Sequence, residues 1–252
     1  MTDIVPMYTM VRDLPSSLET HVALVVIDDE MFVMKRPRTM FGVTQIAREL
    51  KLMKALDGMQ GIPQLKMHFV EERRMTLIYE YCPNGDLMDY LMSPANTLDA
   101  KIVARSLLQI LERLHSKGIA HLDIKPENVV FDSDFQALVI DFGLATTDAR
   151  SNLKCGTKRY SAPEVLSGRG YIPAKADIWS LGVLLIVFHY RTTPFDNGVL
   201  EYFDFPTFWT ELDVNFAHST IDVKAKEFIE FAMQPEITRP TASELLLHSW
   251  LN

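Results

Sequence analysis

His121-Leu122-Asp123-Ile124-Lys125-Pro126-Glu127-Asn128, with Asp141-Phe142-Gly143 further along, concentrates the chemistry of this chain. Asp123 is a carboxylate able to take the proton of an attacking hydroxyl, and Lys125 an ammonium able to neutralise charge on a moving phosphoryl group. Asn128 and Asp141 supply the hard oxygen ligands that Mg²⁺ accepts. A phosphoryl transfer asks for little else, because it is catalysed by positioning and charge stabilisation.

Working outward, Ala162-Pro163-Glu164 follows the two motifs. Either of the first two alone arises by chance in an acidic loop. Their order, with Lys-Pro-x-Asn between them, makes chance a poor account. The combination resembles the catalytic loop and metal-binding turn of eukaryotic-type protein kinases, and the resemblance runs over essentially the whole chain. It implies an α+β, two-lobed fold in which a small antiparallel sheet with one main helix precedes a larger, mostly helical lobe. One kinase domain over 1–252 is expected, with an N-lobe at 1–80, a hinge at 81–86 and a C-lobe at 87–252. The closing Leu-Leu-Leu-His-Ser-Trp-Leu and the run after Asp141 look most like the calcium/calmodulin and checkpoint kinase group.

Toward the N-terminus, His21–Ile27 and Met31–Lys35 read as a hairpin about Asp28-Asp29-Glu30. Apolar spacing from Thr44 to Leu56 reads as a helix carrying Glu49. Leu65–Phe69 and Met75–Tyr79 read as two more strands, completing a five-stranded sheet. By resemblance Lys35 is the strand lysine that holds nucleotide phosphates and Glu49 the helix acid that positions it. Glu80 and Cys82 lie where hinge backbone meets adenine, Tyr79 where bulk narrows the back of that pocket, and Asp86 where a ribose hydroxyl or a substrate arginine is met. Val22 closes the phosphate loop against the nucleotide. Without the resemblance, a surface lysine, a solvated glutamate and a Pro-Asn-Gly bend would explain the same residues.

Toward the C-terminus, Ile102, Val103, Leu107, Leu108, Leu111 and Leu114 form one apolar stripe that Gly118 is placed to end. Cys155–Glu164 resembles the peptide-binding end of an activation segment. There Thr157 is expected beside Asp123 and Lys125, as in serine/threonine enzymes. Asp177 is expected to accept hydrogen bonds from the catalytic-loop backbone, and Arg239 to pair with Glu164. Trp179–Tyr190 is the most apolar run, too short and too punctuated by Ser180 and His189 to cross a bilayer, and reads as a buried core helix.

Composition narrows the classes. The formal net charge of −8 argues against general nucleic-acid binding. The acidic excess lies beyond Glu80, so a basic protein substrate is a reasonable partner, with Asp86 and Glu127 as candidate acceptors of arginines upstream of the phosphoacceptor. Cys82 and Cys155, without CxxC spacing, suggest neither disulfide nor zinc. No secretory leader or membrane span is read, so an intracellular protein, cytoplasmic or nuclear, is expected. No autoinhibitory tail is expected after the last helix, an expectation that leaves regulation to an unidentified partner, to abundance or to Ser151.

Two departures from the family stand out. No glycine precedes Gly42; Leu14-Pro15-Ser16-Ser17-Leu18-Glu19-Thr20-His21-Val22 occupies the phosphate loop, with Pro15, Ser17 and Thr20 where glycines belong and Glu19 at the tip. Side chains there hold the backbone away from phosphates, and proline lacks a donor. Leu122 stands where an arginine often holds a phosphorylated activation loop, and Leu153 stands where the phosphorylated threonine usually sits. The expectation is a serine/threonine kinase using ATP and Mg²⁺ that is not switched by phosphate at that site, with Ser151 a weaker candidate phosphosite. A pseudokinase acting as a scaffold or allosteric binding module is the alternative. A small-molecule kinase on a related fold fits less well, because Cys155–Glu164 looks like peptide machinery.

Overall fold

The computed structural model describes residues 5–95, 97–193, 195, 198, 204–215 and 221–252. The chain forms two compact units, one of Met1–Asn84 with Phe131–Gly143 and one of Gly85–Val130 with Leu144–Asn252.

The first unit is built on an antiparallel sheet. Its strands are β1 (Thr9–Asp13), β2 (Thr20–Ile27), β3 (Glu30–Pro37), β4 (Leu65–Glu71) and β5 (Arg74–Glu80), in the order β1-β2-β3-β5-β4. Both tight hairpins turn on residues with positive φ, Asp28 and Asp29 at 49° and 66° and Glu72 and Arg73 at 48° and 64°. Two-residue hairpin loops need that backbone, and short polar or charged residues supply it here without glycine. Side chains alternate along a strand, so Ala23, Val25, Ile27 and Met34 join Phe69 and Ile78 in one apolar cluster, while Lys35 points to the other face.

Helix α1 (Met40–Ala55) covers that other face. Thr39 caps it by accepting from the Gly42 amide, a bond that satisfies one of the otherwise orphaned first-turn donors. Ile46, Leu52 and Met53 are buried on its inner stripe, and so is Glu49. A carboxylate in such surroundings must find partners or give up its charge.

The second unit is helical: α2 (Leu87–Met92), α3 (Ala100–Ser116), α4 (Pro163–Ser167), α5 (Pro173–Tyr190), α6 (Phe205–Asn215), α7 (Val223–Ala232) and α8 (Ala242–Leu246). The chain leaves it within β6 (Val129–Phe131), which pairs with β7 (Ala137–Val139). Fifteen residues of α5 are buried, including Trp179 and Leu181–Phe188, so the most apolar run of the sequence is a core helix. Among the described residues no helix is long and apolar enough to cross a membrane.

Helix α3 packs on α5 and α8 through Val103, Ala104, Leu107, Leu108, Ile110, Leu111 and Leu114. Ile102, read as part of that stripe, is 66% exposed. It sits one position off the buried face, where Val103 takes the inward place. Gly118 ends the helix at φ 70°, a conformation that costs glycine nothing.

Candidate functional site

The first unit assembles a charge cluster around Lys35. Its ammonium donates to Glu49 Oε2 and to Asp141 Oδ1, each at 2.7 Å. Burial pulls this lysine's pKa down, but the carboxylates of Asp141 and Glu49 outweigh it and the pKa is raised, so the charge is firmly held. Glu49 has its carboxyl raised by burial, against the opposing pull of Lys35. The Tyr79 hydroxyl donates to Glu49 Oε1 at 2.9 Å, so both carboxylate oxygens are engaged.

Tyr79 therefore does more than fill space. The signal was present in strand register: Tyr79 pairs with Val33 and Leu77 with Lys35, which puts the phenol and the ammonium on one face, two residues apart. Asp141 sits at φ 66° with its side chain half exposed, and its Oδ1 also accepts from the Gly143 amide at 3.2 Å. A Cβ on Gly143 would lie 3.1 Å from that oxygen, so this turn has little room for a side chain.

Val22 pairs directly with Lys35 across β2 and β3 and shares its face. Glu80 ends β5 with its carboxylate 3.5 Å from Lys66 Nζ. The Cys82 thiol is pushed up to about 12 by burial and then by the charges of Glu80 and Asp132, so it stays a thiol with no nucleophilic use. Glu19, at the tip of the loop, accepts from Thr39 Oγ1 at the start of α1.

In the second unit one carboxylate collects four donors. Asp123 Oδ1 accepts from the Thr157 amide and hydroxyl, both at 2.8 Å. Asp123 Oδ2 accepts from Asn128 Nδ2 at 3.0 Å and lies 2.8 Å from Lys125 Nζ. Lys125 also donates to Thr157 Oγ1 at 2.9 Å. The short helical turn Pro126–Asn128 brings Asn128 back onto Asp123 and leaves Glu127 exposed. Asp86 caps α2, accepting from the Asp89 amide at 2.9 Å. Burial raises its carboxyl, and the charges of Asp89 and Glu127 add to this.

Asp177, fully buried at the start of α5, holds this loop from behind. It accepts from the amides of His121 at 2.9 Å and Leu122 at 2.7 Å, and from the His115 ring at 2.8 Å. Leu122 has φ 64°, a left-handed backbone that costs a branched residue about 1–2 kcal/mol, and the bond to Asp177 helps fix it there. His115 was missed in the sequence, where Leu-His-Ser reads only as a helix end. Gly156, at φ 82°, lies against this strained point: a Cβ on it would fall 2.4 Å from the Leu122 carbonyl oxygen.

Arg239 is buried and donates to Glu164 Oε1 at 2.6 Å and Oε2 at 3.3 Å, to the carbonyls of Gln234 and Lys175, and lies over the Trp179 ring. Ser151 is also buried. Its backbone bridges Tyr171 through two 2.8 Å bonds, and its hydroxyl accepts from the Leu153 amide. This environment counts against the reading of Ser151 as a phosphosite. Tyr171 itself is buried and donates to the Leu153 carbonyl at 2.7 Å, so Ser151–Leu153 is pinned without any phosphate.

The family described as protein kinase domain matches residues 18–251. The chain belongs to the protein kinase family. The kinase is 32% identical over 238 residues to CBL-interacting serine/threonine-protein kinase 8 of Arabidopsis thaliana, covering 91% of this chain and 51% of that one. It is 34% identical over 184 residues to maternal embryonic leucine zipper kinase of Xenopus laevis, covering 70% and 27%. It is 29% identical over 230 residues to calcium/calmodulin-dependent serine/threonine-protein kinase 1 of Oryza sativa subsp. japonica, covering 84% and 37%. The kinase thus spans between about a quarter and half the length of these relatives. Kinases of this family use ATP with Mg²⁺.

Each unit carries an oxygen group of the kind that Mg²⁺ accepts. Asn128 makes its two hydrogen bonds, to Asp123 O and Oδ2, through Nδ2, which leaves its carbonyl oxygen to ligate. Asp141 offers a half-exposed carboxylate. Both are hard oxygen ligands, and Mg²⁺ held by one or two protein groups completes its shell with phosphate and water.

Proposed function

We propose that the kinase transfers the γ-phosphoryl group of MgATP to a serine or threonine hydroxyl of a protein, as one domain over residues 1–252 with a hinge at 81–86. MgATP supplies the phosphoryl group and the charge-neutralising metal. Asp123 orients the acceptor hydroxyl and takes its proton as the new O–P bond forms and the bond from the γ-phosphorus to the β,γ-bridging oxygen breaks, releasing ADP. Lys125 meets the charge of the moving group, Thr157 keeps Lys125 and Asp123 in register, and Asn128 and Asp141 hold Mg²⁺. Lys35 meets the α and β phosphates, and Glu49 with Tyr79 fixes Lys35. Glu80 and Cys82 offer backbone groups to adenine, and Val22 covers it. Glu164, Arg239 and Asp177 keep the peptide side and the loop in place.

The observation that carries this reading is the Asp123 carboxylate, buried and held by four donors, one of them Lys125. A scaffold with no reaction to run has no need to position a carboxylate this closely. Asp86 and Glu127 support a preference for arginine upstream of the phosphoacceptor, since burial and, more weakly, the charges of Asp89 and Glu127 raise the Asp86 carboxyl, and a nearby cation favours its ionised form.

The test is phosphorylation of a serine/threonine peptide library by the wild-type protein and by Asp123→Asn. Activity lost in the variant, with MgATP binding kept, supports the assignment; equal incorporation in both refutes it. The competing scaffold reading draws on one observation, the engagement of the phosphate-loop amides by the loop's own side chains. It predicts no melting shift with millimolar MgATP and no difference with Asp141→Asn.

A further inference from the structure

In the phosphate loop, Leu14–Val22, the amides of Leu14, Glu19, Thr20 and Val22 are engaged within the loop itself. Ser17 Oγ accepts from the amides of Glu19 at 3.2 Å and Thr20 at 3.0 Å. Ser16 Oγ accepts from the Val22 amide at 3.0 Å and donates to the Leu14 carbonyl at 2.8 Å. The Leu14 amide donates to the Val22 carbonyl at 3.0 Å, and Pro15 has no amide hydrogen. Two serine hydroxyls thus accept the N–H bonds that a loop of this kind would otherwise offer to an anion.

The loop is also fastened to the helix that carries Glu49. The Arg38 amide donates to the Glu19 carbonyl at 2.7 Å, and the Thr39 hydroxyl donates to the Glu19 carboxylate. Gly42, in the first turn of α1, lies so close that a Cβ on it would stand 2.1 Å from the Glu19 carbonyl oxygen. These contacts hold the loop in its self-bonded form.

We infer that Ser16 and Ser17 set the nucleotide affinity of this kinase by competing with phosphate for the loop amides, so that the loop covers the nucleotide without binding its phosphates. The inference rests on the phosphotransfer reading and deepens it. Affinity then comes from Lys35, the metal ligands and the hinge, and removing the two hydroxyls tightens MgATP binding instead of loosening it.

The experiment is calorimetric titration of the wild type, Ser16→Ala/Ser17→Ala and Thr20→Val with MgATP and, separately, adenosine. Thr20→Val removes the hydroxyl bonded to Ser17 Oγ at 3.0 Å but frees no amide, so it controls for general loosening of the loop. Amides released to a charged acceptor should lower the MgATP dissociation constant of the double variant about tenfold. Adenosine affinity should stay unchanged in every protein, and Thr20→Val should match the wild type for MgATP. Unchanged or weaker MgATP binding by a folded double variant overturns the inference, as does an equal gain for adenosine or for Thr20→Val. Wild-type protein that binds neither ligand overturns the phosphotransfer reading and this inference with it, and that outcome is visible before any variant is titrated.

Discussion

Replacing Tyr79 by Phe removes a single oxygen from the Lys35 cluster and keeps the ring that fills the space. Glu49 Oε1 then loses its 2.9 Å donor in a site where the carboxylate is almost fully buried. A buried acceptor left without its partner costs about 1–3 kcal/mol, more when it is charged, and Lys35 still serves Oε2, so we expect about 2 kcal/mol. For a chain of 252 residues that is a fall in melting temperature of about 4–8 °C. A second effect concerns protons. Burial already raises the Glu49 carboxyl, while its hydrogen bonds from Lys35 and Tyr79 lower it. Removing the phenol raises it further, and protonated Glu49 no longer holds Lys35 by charge. Because the ionised form is the useful one, the acid limb of kcat/KM moves to higher pH in Tyr79→Phe. Melting curves and a pH profile of peptide phosphorylation test both effects, with Tyr79→Leu as a control that also loses packing. An unchanged melting temperature together with an unmoved acid limb would refute the three-way arrangement.

Three further expectations follow from the second unit. Arg239→Leu leaves Glu164 without its buried partner and should cost about 3–5 kcal/mol, whereas Glu164→Leu/Arg239→Leu should recover much of that in the same denaturant titration. Gly156→Ala forces a methyl into the Leu122 carbonyl and strains φ, so kcat should fall by an order of magnitude or more; normal turnover would show that the loop yields cheaply. His189, whose Nε2 is buried with no hydrogen-bond partner among the described residues, is lowered to about 4 by burial, with Asp222 opposing this and Arg191 adding to it. Its native state binds fewer protons than the unfolded chain between about pH 6.5 and pH 4, so stability falls as pH drops through that window, by up to about 3 kcal/mol. His189→Gln should flatten that part of the stability profile.

Motif order made the catalytic loop legible from sequence, whereas the Lys35–Glu49 and Arg239–Glu164 pairs, each joined by hydrogen bonds in the structure, were reached only through the resemblance to the family, since a strand lysine or a helix glutamate alone carries little signal. Four strands were legible from runs and turns, whereas β1, exposed along its whole length, carries no apolar run to mark it. Ile102 was misread because a helical stripe three or four residues wide does not say which of two adjacent apolar residues faces inward. Ser151 looked available as a hydroxyl in a polar stretch, but its burial depends on a bridge to Tyr171, twenty residues away in the chain. His115 was unreadable as a partner for the same reason, and Tyr79 could be found only once the β3–β5 register was known, which puts it on the face of Lys35. The self-bonding of the phosphate loop could be suspected from Pro15 and the missing glycines. That the two serines do the bonding required the coordinates of their oxygens.

Gly42 bears on how reversible this loop is over evolutionary time. Its Cα takes the kind of close backbone contact that loop glycines give to a ligand, but offers it to the carbonyl of Glu19. Restoring glycines at 15, 17 and 20 would release loop amides to phosphate yet bring back only part of a phosphate-cradling loop, because Arg38, Thr39 and Gly42 would still hold the tip against α1. A lineage that returned to the family's usual loop would have to undo the helix side as well, and each half of that change alone gives up contacts before the other half repays them. The departure from glycine is in this sense a ratchet, written at position 42 as much as in the loop.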